Sequence, residues 1–121
     1  MTYESTVTHA AKCCDGVSYK ISRMSFGRRV ELTRLVRELG SRMEFREAGG
    51  ELADKLEARL LSAEINRLYL EWGLMDITGL ELDGLPATPA TLIAAGPDEL
   101  CTEILDAIKC ECGLSEEERK N

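Results

Sequence analysis

Apolar side chains recur at helical spacing over two long stretches of this chain and two short ones, with brief runs of strand-like alternation before and between them. The first alternating run is Val17-Ser18-Tyr19-Lys20-Ile21. Its β-branched and aromatic residues share the apolar parity, which predicts a short half-buried strand. From Ser25 the period becomes helical, with Ser25 placed to cap the first turn and Gly49-Gly50 placed to end the helix in a left-handed turn. Leu32, Leu35, Val36, Leu39 and Met43 then share an arc of about 100°, a single apolar stripe. A second helix is predicted from about Glu51 to Glu71 or Trp72, stopped by Gly73. It is apolar on two sides. Leu52, Leu56, Leu60, Ala63 and Leu70 gather within about 80°, while Leu61, Ile65, Leu68 and Trp72 gather nearly opposite. Such a helix either runs through the middle of the domain or offers one face to another chain. The second reading makes Leu61, Ile65, Leu68 and Trp72 a partner-binding or self-association face, with Trp72 its expected hot spot.

Residues 74–84 alternate again and end in an Asp83-Gly84 turn signal, predicting a small hairpin or a pair of short strands that the strand at 17–21 could join. Thr88 and Pro89 then form a helix entry as N-cap and first helical residue. Gly96-Pro97 halts that short helix and starts another, with Asp98 and Glu99 suited to its positive end. Leu100, Ile104, Leu105 and Ile108 repeat at helical spacing up to Cys112, and Gly113 closes the helix. Ser115 and Glu118 form a capping-box pair with only three residues beyond it, which predicts a frayed end. The reading is mainly α with a small β element: two longer helices, a short hairpin and two C-terminal helices. One domain over 17–113 is expected between a flexible arm at 1–16 and a charged tail at 114–121.

Composition narrows the class. At 121 residues there is room for one core; 44% hydrophobic and 31% charged residues are too apolar for a disordered tail and too charged for a membrane protein. The net charge of −7 argues against a dedicated nucleic-acid binder. That average conceals a polarity. Residues 18–46 carry eight basic side chains against three acidic ones, a surplus of five, whereas 47–121 carry six basic against seventeen acidic, a deficit of eleven. Arg28, Arg29, Arg37 and Arg46 are the candidate basic face, although Arg34, Glu38 and Arg42, spaced four apart, also suit a self-paired solvated helix surface.

The five cysteines, Cys13, Cys14, Cys101, Cys110 and Cys112, form no even framework of spaced pairs, so free thiols are expected. Zinc held by Cys13, Cys14, Cys110 and Cys112, with His9 nearby in sequence, is the alternative. Its spacing lacks the two intervening residues of the usual knuckle. Residues 1–17 lack the basic start and apolar stretch of a signal peptide, and no run approaches a membrane span, so a cytoplasmic protein is expected. There is no glycine-rich phosphate loop and no nucleophile elbow, and His9 is the single histidine. No catalytic residue, cofactor or metal is nominated, and a non-enzymatic protein is expected.

Trp72-Gly73, Leu80-Glu81-Leu82-Asp83-Gly84, Pro86, the helix of Thr91-Leu92-Ile93, Gly96-Pro97 and the ending Arg119-Lys120-Asn121 form a layout that resembles tail assembly chaperones of long-tailed bacteriophages and prophages. The resemblance covers about the last 50 residues well and the first 70 loosely; the cysteine pair near the start is not part of that pattern. It implies a small cytoplasmic protein of the infected or lysogenic bacterium that binds the tape measure protein and helps recruit tail tube subunits, leaving before the virion is finished. It also implies a minority product made by ribosomal frameshifting, which a slippery run encoding Lys120-Asn121 would permit. Two other readings stay open: a structural or adaptor subunit that remains in a tail-like particle, and a nucleic-acid-binding regulator acting through the arginines.

Overall fold

A computed structural model describes residues 1–114, and for 43–49 the backbone only. Its elements run β1 (Thr6–Ala10), β2 (Ser18–Ser22), α1 (Phe26–Gly49), α2 (Leu52–Gly73), β3 (Leu74–Thr78), β4 (Glu81–Leu82), β5 (Leu85–Pro86), α3 (Pro89–Ala95) and α4 (Asp98–Glu111). The chain is mainly α with a small β element, as its periodicity predicts. Local chemistry sets the boundaries. The Ser25 hydroxyl accepts from the Arg28 amide at the start of α1, and Gly50 ends that helix at φ +75°. Thr88 and Thr91 form a reciprocal capping box at α3, with Pro89 opening the helix. Asp83 and Gly84 both adopt positive φ between β4 and β5, the mirror-image turn that matches strand twist.

The antiparallel order β1-β2-β3 forms the larger sheet; β4 and β5 pair separately. Val17, Tyr19 and Ile21 from the second strand region, and Leu74 and Ile77 from β3, point into the core. There they meet Leu92 of α3 and Leu100, Ile104 and Ile108 of α4, which are fully enclosed. Leu32, Leu70 and Trp72 bring the inner ends of α1 and α2 onto the same core. Leu105 is half-buried at its edge.

The arm expected over 1–16 contains β1, which pairs residue for residue with β2 from Thr6↔Ser22 to Ala10↔Ser18. An edge strand with one covered face leaves little periodic trace: within β1 only Thr6 and Val7 are half-buried. The domain therefore begins near residue 6, not 17. At the other end the Leu114 amide donates to the Lys109 carbonyl at 3.1 Å. The Leu114 side chain packs on the core, so it belongs to the domain and not to the expected tail. The rest of that tail, with the Ser115 capping pair, lies outside the described residues.

Candidate functional site

The helical hairpin α1–α2 is the one place where sequence reasoning left a face to assign. Its inner end is tied down by Arg28. One guanidinium nitrogen donates to the Trp72 carbonyl at 2.6 Å, and the group lies 4.3 Å from the Trp72 ring centroid. It also pairs with Glu31 at 3.3 Å, while its Nε donates to the buried Ser22 hydroxyl at 3.4 Å. A planar fork with several donors suits such a junction of α1, α2 and β2. Across α2, Lys109 is buried, donates to Asn66 Oδ1 at 2.8 Å and lies 5.6 Å from the Tyr69 ring. Burial pulls its pKa below the usual lysine value, opposed by the nearby Asp106.

These contacts decide which side of α2 faces inward. Leu61 is 1% exposed and Trp72 6% exposed, with Ile65 and Leu68 half-buried between them. The expected partner face is thus the packing face of the helix, turned toward α1, and Trp72 is an internal anchor. Its indole Nε1 is buried without a hydrogen-bond partner among the described residues. On the opposite arc Leu70 reaches the core, but the outer residues are free. Leu52 is 73% exposed, and Leu56 and Leu60 are each 53% exposed. Spaced four apart, they form a ridge of about two turns on the outer half of the hairpin. Between residues 38 and 64, only Ala58 and Leu61 are buried among the described side chains. Helical geometry sets Lys55 and Arg59 along one flank of the ridge and Glu57 and Glu64 along the other.

The ridge leads toward a groove. Ala63, three residues beyond Leu60 on the same face, lines an open cleft of about 490 Å³ between α2 and the α3–α4 pair. Asn66, Arg67 and Leu70 form its α2 wall; Ile93, Cys101 and Leu105 stand opposite. Burial raises the Cys101 thiol pKa, helped by Asp98. The cleft therefore presents a protonated, weakly polar thiol between mixed walls, with Leu70, Ile93 and Leu105 beside Asn66, Arg67 and Asp98.

Of the expected basic face, Arg29 and Arg37 border one shallow cleft beside α1, and Arg28 does not join them there. Arg28 is committed to Trp72 and Glu31, Arg29 and Arg37 are exposed on α1, and the Arg46 side chain lies outside the described ones. The cysteines are likewise dispersed. Cys13 and Cys14 lie in the β1–β2 connection, Cys110 is exposed near the end of α4, and Cys112 is buried. Burial pushes the Cys112 thiol up to about 11. His9 stacks on Tyr19 with ring centroids 5.5 Å apart. Among the described residues, no three His, Cys, Asp or Glu side chains converge where they could hold a metal ion. No helix among them is long and apolar enough to cross a membrane.

Sequence reasoning missed two features. The ridge was visible as an apolar arc, but its exposure was not, because the wheel shows two arcs without showing which one α1 covers. Glu103 carried no signal at all. Its two carboxylate oxygens accept from the Lys12 amide at 3.0 Å, and one accepts from the Cys13 amide at 2.9 Å, across some ninety residues of chain. Compared with family models, curated proteins and solved structures, the chain matches none.

Proposed function

We propose that the protein is a non-enzymatic phage or prophage tail assembly chaperone, which binds the tape measure protein and assists tail tube assembly. The observation that carries this reading is the leucine ridge of Leu52, Leu56 and Leu60, three exposed leucines on successive turns of one helix face. A row of exposed apolar side chains on a small protein is costly in water unless something covers it part of the time. A helical segment of a long client is complementary to it in shape and chemistry, presenting its own apolar stripe along the ridge. The Ala63 cleft gives such a segment a place to anchor one apolar side chain. Oppositely charged flanks would fix the direction in which the segment lies. The strongly acidic remainder of the chain keeps a complex with an aggregation-prone client in solution. The layout from Trp72 to Pro97 supports the same reading.

Co-expression with the long protein encoded next to this gene tests it. The soluble fraction of that protein should rise with the wild-type chain, and the L52Q/L56Q/L60Q triple variant should lose the effect while remaining folded. An unchanged soluble fraction with the wild type would count against the proposal. Purified particles should lack the chain by mass spectrometry; its presence would favour a structural or adaptor subunit. The gene should carry a slippery run near codons 120–121 and an overlapping downstream frame.

A further inference from the structure

Adjacent side chains on extended backbone point to opposite sides, so neighbouring cysteines normally hold their sulfurs apart. Here they do not. The seven-residue connection 11–17 doubles back on itself, with the Ala11 amide donating to the Val17 carbonyl at 2.8 Å and Gly16 at φ +79°. The turn brings Cys13 Sγ and Cys14 Sγ to 3.2 Å, within hydrogen-bond contact. Glu103 of α4 secures the backbone on one side through the Lys12 and Cys13 amides. Both cysteines are half-buried, and Lys12, Asp15 and Gly16 around them are exposed, so a small molecule can reach the sulfurs.

We propose that Cys13 and Cys14 form a reversible dithiol–disulfide site, closed by thiol–disulfide exchange with a low-molecular-weight disulfide. One thiolate attacks the small disulfide, forming a mixed disulfide and releasing one small thiolate. The second cysteine, deprotonated, displaces the other small thiolate and closes the Cys13–Cys14 bond. Two electrons and two protons leave the protein, and the small disulfide becomes two thiols. Cys13 is the resolving member, because its hydrogen bond to Cys14, burial and the nearby Glu103 carboxylate push its pKa up to about 12. Consecutive Cα atoms lie about 3.8 Å apart, less than relaxed disulfides span. The closed form is therefore strained and easily reduced, the property of a labile rather than a structural bond.

The test incubates the full chain with oxidised glutathione, blocks remaining thiols by alkylation and maps tryptic peptides. Cleavage after Lys12 and Lys20 isolates both cysteines from the other three. The wild-type peptide should be lighter by two hydrogens and carry no adduct, reopening with reduced glutathione. Cys13→Ser should instead leave a stable glutathione adduct on Cys14. The ratio of closed form to adduct should be at least about tenfold higher in the folded chain than in concentrated urea, because the turn supplies the effective molarity. A wild-type peptide that stays fully alkylated, keeps a stable adduct, or closes equally well in urea overturns the site. None of these outcomes depends on the assembly reading.

Discussion

Arg28 shows how much of this fold hangs on single side chains. Its contacts with the Trp72 carbonyl and ring, Glu31 and Ser22 join three elements at one point. Arg28→Ala should lower stability by about 1–3 kcal/mol, since it removes a charge-assisted hydrogen bond and a stacked cation together. Arg28→Lys should recover only part of that loss, because an ammonium cannot reproduce the fork. Thermal unfolding of the two variants checks both. Gly79 is a second such position. It has φ +83°, and a Cβ there would run into the Gly16 carbonyl, so Gly79→Ala should cost more than about 2 kcal/mol in urea denaturation. Glu103 contributes a pH dependence. Burial alone would raise its pKa, but hydrogen bonds from Lys12, Cys13 and Tyr19 hold it below its usual 4.5. A carboxylate depressed in the folded state stabilises the fold above the unfolded value, and that contribution disappears as pH falls through the folded value. The stability advantage of wild type over Glu103→Gln should thus be full above about pH 4.5 and shrink below it, as denaturation at a series of pH values will show.

At the scale of elements, α2 carries two apolar faces with opposite fates. The arc of Leu61 and Trp72 is sealed, while the ridge of Leu52, Leu56 and Leu60 is open. The two should respond differently to substitution. The triple variant L52Q/L56Q/L60Q should stay within about 0.5 kcal/mol of wild type per site, because each side chain is largely solvated already. Leu61→Ala should cost about 2–5 kcal/mol through the cavity it leaves. Equal losses in urea unfolding for both faces would mean that the ridge is packed in solution. The bounds of α1 and the start of α3 were legible to within a residue or two because caps and glycines act locally: Ser25, Gly50, Thr88 and Pro89 work wherever the rest of the chain lies. β1 was not legible, since its existence depends on β2 offering an edge.

For the whole molecule the decisive quantity is how charge is distributed. The basic surplus falls on residues 18–46 and the acidic excess on 47–121, most of it beyond the hairpin, since α2 itself holds four acidic and three basic side chains. With a sequence isoelectric point near 4.8, light scattering should show a solubility minimum around that pH. Self-association through the exposed leucines should be strongest there, because the net charge that keeps copies apart has vanished. The commitment of Arg28 to Trp72 withdraws one of the four arginines of the expected basic face from any nucleic-acid surface.

Helix identity, the strands from residue 17 onward, the caps at Ser25 and Thr88, the turns at Gly50 and Asp83-Gly84 and the charge polarity could be read along the chain, because each rests on side-chain spacing or on the chemistry of a few neighbouring residues. Three matters could not. Which apolar arc of α2 is covered depends on where α1 lies; whether the first residues form a strand depends on a partner edge; and the meeting of Cys13 with Cys14 under the hold of Glu103 depends on a turn and a helix brought together from opposite ends of the chain. Each is a contact between segments, and periodicity within one segment cannot specify what packs against it.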